Sequence, residues 1–546
     1  LKQTGGTMIY NGRDLMDYFP LESPRSGQVA VLNEIDRVFS EGKKFIILEG
    51  PVGCGKSAIA MTLAKAFGNA HLITPRKSLQ NQYFDDFTDD VVLMKGRGSY
   101  PCTKYSSPSR YKAVIRHVES GSIPSPGVDE TNCSNAPCRT NSNIVARCAA
   151  DVGVCPYIRA MEIAQDNNIV VHNLHSFIYQ TNFSAKFEKR SLMVIDEAHE
   201  IEGIMRDFVT KKITTARRIR EADLPVGLNT LDGWCDFLLD TKCVPTVSNS
   251  QARAKEVNPE YRTNLDVYID QVQSLRAYSE FLEDKFTVKH NVLGGSTTPT
   301  FEFIPHKLGN SVYNNLFSFG DRIVLMSGTI YDKVLFCRNL GINPNDAYLI
   351  RIPSTFPIGN RPIYLKEKYQ ADTSYVGWNE NFRDIIEKVE SIMGIFSDVK
   401  GLIHAPSYEA AEQLLNALPE DRVMSHDKTN FQERLSEFYG SEGNMVFISP
   451  VCQQGVDFRE DRARFQIVLR VPYANTSDEF IRSKVENDFN WYNYQALIVF
   501  GQQIGRINRS ENDFGATFLM DTRFNRFISR NSGRLPKWLQ NAIIWR

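Results

Sequence analysis

The chain has 546 residues, of which 42% are hydrophobic and 23% charged, and its formal net charge is −1. That length exceeds what one hydrophobic core serves, so several domains are expected, of ordinary globular composition. The near-neutral balance excludes a uniformly basic surface, although a local basic groove suffices for a nucleic-acid partner. There is no long uninterrupted apolar run and no signal peptide pattern, so no membrane span is expected. A cytoplasmic or nucleoid-associated location is expected, or the host cytoplasm if the source is viral.

Leu1 to Thr7, ahead of Met8, is left out of the fold reading. Pro24-Arg25-Ser26-Gly27-Gln28 precedes a helical pattern in Val31, Leu32, Ile35, Val38 and Phe39. A glutamine carries both the donor and the acceptor needed for an adenine edge. Arg25 and Gln28 alone equally fit a helix start with a solvated arginine, and they gain weight only from standing just upstream of a phosphate-binding loop. Phe45-Ile46-Ile47-Leu48 is a short apolar run of the kind that makes a buried strand. Directly after Glu49 stands Gly50-Pro51-Val52-Gly53-Cys54-Gly55-Lys56-Ser57, which fills every fixed position of G-x-x-x-x-G-K-[ST]. A helical pattern runs on from Ser57 to Ala66. A strand, a glycine loop and a helix start aim backbone N–H groups and a positive helix end at one spot. Lys56 is expected at the β- and γ-phosphates of ATP, and the Ser57 hydroxyl at Mg²⁺.

His71-Leu72-Ile73-Thr74 reads as a second strand, and Arg76 to Gln82 as the start of a helix suited to a nucleic-acid phosphate or to solvent. From Lys95-Gly96-Arg97-Gly98-Ser99-Tyr100-Pro101-Cys102 to about Arg159 the apolar density falls. Such a stretch needs a staple. Five of the 10 cysteines lie here: Cys102, Cys133, Cys138, Cys148 and Cys155. Without a secretion signal, metal is expected before disulfides. The spacing alone chooses neither zinc nor an iron–sulfur cluster.

Ile169-Val170-Val171-His172-Asn173 is another buried strand. Leu192-Met193-Val194-Ile195 leads straight into Asp196-Glu197-Ala198-His199. Paired acids at the end of an apolar strand suit nucleotide hydrolysis. Asp196 is expected to hold Mg²⁺ and Glu197 to orient the attacking water. Between Glu200 and Phe319 charged helical patterns replace the strand signals, which reads as a mainly helical insertion. Asp321 to Met326 is then a strand that ends in Ser327-Gly328-Thr329, hydroxyls placed to couple the nucleotide to a neighbouring site.

A second α/β unit is expected from near Ile350, with strands at Gly401–His404, Met445–Ile448 and Phe465–Leu469 and no phosphate loop. Near its end Gln502, Arg506 and Arg509 stand at spacings of four and three, which one helical face can carry. Two arginines there make a fork for a phosphate held by the other unit, or simply a solvated basic face.

Taken together these stretches resemble the iron–sulfur superfamily 2 helicases, the XPD/DinG family. The Lys95–Cys102 stretch and Cys155-Pro156-Tyr157, both placed between the phosphate loop and Asp196-Glu197-Ala198-His199, carry the resemblance beyond a generic ATPase. It implies an α/β protein with two RecA-like parallel-sheet motors. The first motor, over 8–98, 161–210 and 306–345, is interrupted by an iron–sulfur domain at 99–160 and a helical arch at 211–305. The second occupies 346–546. Implied cofactors are ATP, Mg²⁺ and a 4Fe-4S cluster on Cys102, Cys133, Cys138 and Cys155, with Cys148 the competing ligand. The implied nucleotide contacts are Arg25, Gln28, Gly50, Gly53, Gly55, Lys56, Ser57, Gly455 and Asp457. Catalysis falls to Lys56, Asp196, Glu197, Gln502, Arg506 and Arg509.

The resemblance further implies a monomer that moves 5′ to 3′ on single-stranded DNA and opens forked duplexes. Three alternatives share much of this machinery: a translocase that separates no strands, an RNA helicase with a zinc domain, and a metal-binding module with a decayed ATPase. The sequence departs from the family where Gln454-Gly455-Val456-Asp457 replaces the usual Glu-Gly-x-Asp, and in having five cysteines where four are usual. No N-terminal nuclease domain is expected, because the chain begins close to Arg25.

Overall fold

The computed structural model describes residues 2–4, 7–9, 13–51, 53–102, 108–122, 132–134, 136, 155–215, 219, 224–225, 227–278, 285–291, 299–452, 456, 458, 460–508 and 513–545. Within the stretch left out of the fold reading, β1 (Lys2–Thr4) pairs antiparallel with β2 (Thr7–Ile9). The first motor contributes β3 (Phe45–Glu49), β4 (Ala70–Thr74), β5 (Val92–Met94), β6 (Ile169–Asn173) and β7 (Arg190–Ile195). The chain then makes β8 (Lys211–Thr214), β9 (Phe286–Asn291) and β10 (Thr300–Pro305). It returns through β11 (Gly320–Ser327) and β12 (Ala347–Arg351). The second motor holds β13 (Ile363–Tyr364), β14 (Gly401–His404), β15 (Val423–Ser425), β16 (Val446–Ser449), β17 (Phe465–Val468), β18 (Ala516–Leu519) and β19 (Ile543–Ile544).

Two seven-stranded parallel sheets result, ordered β12-β3-β11-β7-β4-β6-β5 and β15-β16-β14-β17-β18-β13-β19. Both faces of the first are covered, which is why its strands read as unbroken apolar runs rather than as alternations. Phe45 and Ile47 point into one core with Ile195, Ile323 and Leu325. Ile46 and Leu48 point into the other, with Ile59, Leu63, Val194 and Val324. Fully burying a side chain of this size contributes about 1.5–3 kcal/mol, so each strand is anchored twice. The order places β3, β11 and β7 side by side, in register from Phe45↔Ile323 and Leu192↔Arg322 onward. Their carboxyl ends therefore line up, where open α/β sheets bind ligands.

Two expectations need correcting. The first motor does not end at 345: β12 pairs in parallel with β3, Ala347 opposite Phe45, so its sheet runs to Arg351. The second correction concerns the insertion after residue 210. It holds the helices Leu231–Leu238, Asn249–Val257 and Asn264–Ala277, but also the three-stranded antiparallel sheet β8-β10-β9. Phe301 and Phe303 face its core and Glu302 faces away from it, an alternation only a few residues long. Among the described residues no helix is long and apolar enough to cross a membrane.

Candidate active site

The phosphate loop bridges β3 and the helix Lys56–Phe67. Gly53 and Gly55 adopt φ of 77° and 81°, the left-handed region. At Gly55 a Cβ would also stand 2.2 Å from Gln28 Nε2, the movable end of a side chain, so it is the left-handed φ that calls for glycine here. Lys56 Nζ lies back on its own loop, donating to the carbonyls of Gly50 (2.9 Å) and Pro51 (3.1 Å). Arg25 donates to the Gly53 carbonyl at 3.0 Å. Gln28 Oε1 accepts the Arg25 N–H at 2.9 Å, and its Nε2 donates to the Gly55 carbonyl at 3.3 Å. Both ends of that amide, expected at an adenine edge, are here engaged in bracing the loop.

Asp196 and Glu197 follow β7. Tyr83 reaches Asp196 Oδ2 at 3.4 Å and also hydrogen-bonds Ser57. The Glu197 N–H donates to Asp196 Oδ1 at 2.9 Å. Glu197 itself sits at φ 50°, ψ 45°, a conformation costing an L-residue about 1–2 kcal/mol. Burial, and then the Glu197 charge, push the Asp196 carboxyl up to about 6. Burial works the same way on Glu197, but His199, Lys56, Arg76 and Arg506 outweigh it and hold this carboxyl below its usual value. The pair is thus split, with the negative charge favoured on the group expected to orient water.

From His199 a polar line crosses to the second motor. His199 Nδ1 stands 2.9 Å from Ser327 Oγ and 3.3 Å from Glu197 Oε2. Ser327 Oγ lies 3.5 Å from Thr329 Oγ1, which accepts Gln502 Nε2 at 3.0 Å. Gln502 Oε1 accepts from Arg506 at 2.9 Å, and Arg506 also donates to the Val456 carbonyl at 2.8 Å. The helix Phe489–Ile504 ends at Gly505. Arg506 therefore does not share a helical face with Gln502, as the spacing predicts; it folds back past the helix end and donates to the Gln502 carbonyl at 3.0 Å. Arg509, Gln454, Gly455 and Asp457 lie outside the described residues.

The same helix is fixed to the first motor further up. Glu202, one turn beyond His199, accepts from Trp491 Nε1 (2.6 Å) and Gln495 Nε2 (2.9 Å), and pairs with Arg206 (2.6 Å). Between the motors lies a cleft of about 770 Å³, large enough for a nucleotide. Lys56, Ser57, Asp196, Glu197, Gln502 and Arg506 all line it. Tyr83 and the cleft-lining Phe356 and Trp538 carry no sequence pattern that marks them, because only the folded arrangement brings them near the motifs.

Of the five clustered cysteines, Cys102, Cys133 and Cys155 are described, and Cys138 and Cys148 lie outside the described residues. Cys155 begins the helix Pro156–Asp166. Cys133 Sγ donates to the Pro101 carbonyl at 3.6 Å, and the Cys133 thiol beside it pulls Cys155 down to about 6, helped by the helix-start amides and Arg97. The neighbouring Cys155, with burial and the nearby Cys102, pushes Cys133 up. Cys133 and Cys155 thus stand side by side, with Cys102 near enough to act on Cys133 through its charge. Among the described residues no group of three or more His, Cys, Asp or Glu side chains is placed to hold a metal ion.

Two family profiles match the chain: "Helicase C-terminal domain" over residues 394–542 and "Type III restriction enzyme, res subunit" over residues 22–221. The chain is 21% identical over 607 residues to "ATP-dependent DNA helicase YoaA" of Escherichia coli (strain K12), covering 94% of this chain and 92% of that protein. It is 29% identical over 254 residues to the "General transcription and DNA repair factor IIH helicase subunit XPD" of Dictyostelium discoideum, covering 40% and 31%. Against the "Regulator of telomere elongation helicase 1 homolog" of Caenorhabditis briggsae the identity is 26% over 211 residues, spanning 36% of this chain and only 20% of that protein. Among solved structures, S. tokodaii Xpd4 matches with TM-score 0.55 at 15% identity, covering 95% of this chain and 99% of that one. A structure described as "XPD_Helicase" matches with TM-score 0.59 at 14% identity, covering 96% and 100%. At these identities the structural likeness shows the fold.

Proposed function

We propose that this chain, which belongs to the XPD/DinG-like superfamily 2 helicases, is an ATP-dependent DNA helicase that moves 5′ to 3′ along one strand. One observation carries the ATP-driven part of this reading, the hydrogen-bonded line from His199 through Ser327, Thr329 and Gln502 to Arg506; the direction rests on the family resemblance alone. The line joins the acids beside the phosphate loop to an arginine of the other motor, so chemistry and domain contact are linked.

ATP would enter the cleft with its phosphates at the loop. Lys56 leaves the Gly50 and Pro51 carbonyls for the β- and γ-phosphates. Ser57 and Asp196 would hold Mg²⁺, and a bound Mg²⁺ would supply positive charge for the phosphates. Glu197, kept ionised, orients the attacking water. Arg506 delivers positive charge to the transferring phosphoryl group from the second motor. The site is complete only while the motors touch. Nucleotide state therefore biases the interface, and two grips on a strand that alternate in fixed order produce directed movement. Strand contacts of such motors are mainly to the backbone, with aromatic stacking and little sequence preference.

The test is strand displacement on forked DNA. A fork with only a 5′ tail is opened, and one with only a 3′ tail is not; the opposite preference refutes the direction. ATP turnover stimulated by DNA without any displacement points to a translocase. Stimulation by single-stranded RNA in preference to DNA points to an RNA helicase.

The thiols fit an iron–sulfur cluster by donor type, with Cys102, Cys133, Cys138 and Cys155 the proposed ligands; Cys133 and Cys155 already stand side by side. When bound, the cluster would staple a segment too poor in apolar residues to hold itself. Anaerobically purified protein is then brown, whereas zinc thiolates are colourless. Cys133→Ser bleaches the visible band and Cys148→Ser keeps both colour and iron. A colourless Cys148→Ser beside a brown Cys133→Ser reverses the assignment.

A further inference from the structure

Glu49 ends β3, directly before the phosphate loop, and its carboxylate is buried. It is not among the residues that line the cleft. Oε1 accepts the backbone N–H groups of Ile330 (3.1 Å) and Tyr331 (2.7 Å). Oε2 accepts Arg351 Nε at 2.7 Å, and the same arginine donates to the Tyr331 carbonyl at 3.0 Å. These contacts seize the turn just after Ser327-Gly328-Thr329. Tyr331 there is buried at φ 56°, a conformation a bulky residue keeps only when its surroundings impose it.

What that turn presents is a seat for the second motor. A Cβ at Gly501 would stand 1.9 Å from Tyr331 Oη and 2.8 Å from Thr329 Cγ2. The helix bearing Gly501 thus rests on the Tyr331 ring with only its backbone between. Tyr494, two turns earlier on the same helix, donates to the Ile330 carbonyl at 2.8 Å. The next residue after Gly501 is Gln502, bonded to Thr329, and the helix ends just before Arg506.

We infer that Glu49 is a positioning residue for the second motor. It holds the Ile330–Tyr331 turn in the one conformation that seats Gly501 and so sets Gln502 and Arg506 in the cleft. The inference rests on the ATP-hydrolase reading above. It assigns the acid before the phosphate loop to the interface rather than to nucleotide binding. Loss of Glu49 therefore slows the chemical step and spares the binding of ATP to the first motor.

The experiment measures DNA-stimulated kcat and KM, binding of a fluorescent ATP analogue, and Tm for the full chain and four variants. Glu49→Ala lowers kcat by about 10²-fold, the size expected for a misplaced catalytic group, while analogue affinity is unchanged. Glu49→Gln, which keeps an oxygen for both N–H groups, recovers most of the turnover. Gly501→Ala reproduces the kcat loss from the other side of the seat. Adding Tyr331→Phe to it restores turnover in part, because it removes the nearest atom the new methyl strikes and leaves Thr329 Cγ2 and Tyr331 Cζ, each at 2.8 Å. Wild-type kcat in Glu49→Ala overturns the inference. So does a Glu49→Ala variant whose turnover, affinity and Tm fall together while Gly501→Ala turns over normally, since Glu49 would then only hold the sheet. A wild-type protein that releases no phosphate from ATP overturns the hydrolase reading itself, and this inference with it.

Discussion

Replacing Lys56 by alanine abolishes DNA-stimulated ATP turnover and leaves the protein folded. Among the described residues the side chain makes no ion pair; its bonds run to the Gly50 and Pro51 carbonyls of its own loop. It occupies the first position of the helix Lys56–Phe67, where alanine is a good helix former. The change in stability is therefore expected within about 0.5 kcal/mol, as for substitutions away from core, cap or buried-charge features. Catalysis is a different matter. The ammonium is the closest positive charge that the loop itself can bring to the β- and γ-phosphates, and its removal leaves developing charge unmet in a closed cleft. Loss of a single donor of that kind costs about 10²–10³ in kcat, and here weaker nucleotide binding adds to it. Phosphate release with saturating single-stranded DNA, read beside the melting curve, checks both halves. Turnover near the wild-type rate would remove the phosphate loop from the mechanism.

Much of this site is legible in the sequence because it is local. The loop Gly50 to Ser57 and the acids Asp196 and Glu197 are short runs whose chemistry depends on their neighbours in the chain. The apolar runs before them become β3 and β7 because both faces of a parallel sheet are buried. The pairing of those two motifs through β11 is not local, and only the sheet order supplies it. Gln28 shows a different limit. Its amide can serve a purine or a backbone with the same two atoms, and nothing in the sequence distinguishes an adenine edge from the carbonyl of Gly55. Glu49 and Tyr331 are farther out of reach: their contact joins residues 282 positions apart, and neither belongs to a spaced pattern. The three-stranded sheet of the insertion escapes notice because β8 and β10 pair across a long separation and each is short. Spacing alone points to Arg506, but for a reason the structure amends. The four-residue step from Gln502 brings the two side chains together across the helix end at Gly505 rather than along a helix.

Arg506→Ala is expected to lower kcat by about 10³–10⁵, the range arginine fingers supply. The competing explanation is structural, because Arg506 is buried and bonds Val456 and Gln502 within its own motor. Magnitudes separate the two. Leaving the Val456 carbonyl without that donor costs about 1–3 kcal/mol of stability at most, a shift of some degrees in Tm that leaves the protein folded at assay temperature. The kinetic loss corresponds to about 4–7 kcal/mol of transition-state stabilisation, which no partial unfolding of that size produces. Nucleotide affinity changes little, since the phosphate loop lies in the other motor. Arg506→Lys retains the charge but not the planar fork that holds Gln502 Oε1 and the Val456 carbonyl together, so it recovers only a small part of the rate. A variant that hydrolyses ATP at the wild-type rate, or one that loses rate only in proportion to the fraction unfolded, would place Arg506 in the packing of the second motor and leave the cleft without its transferable charge.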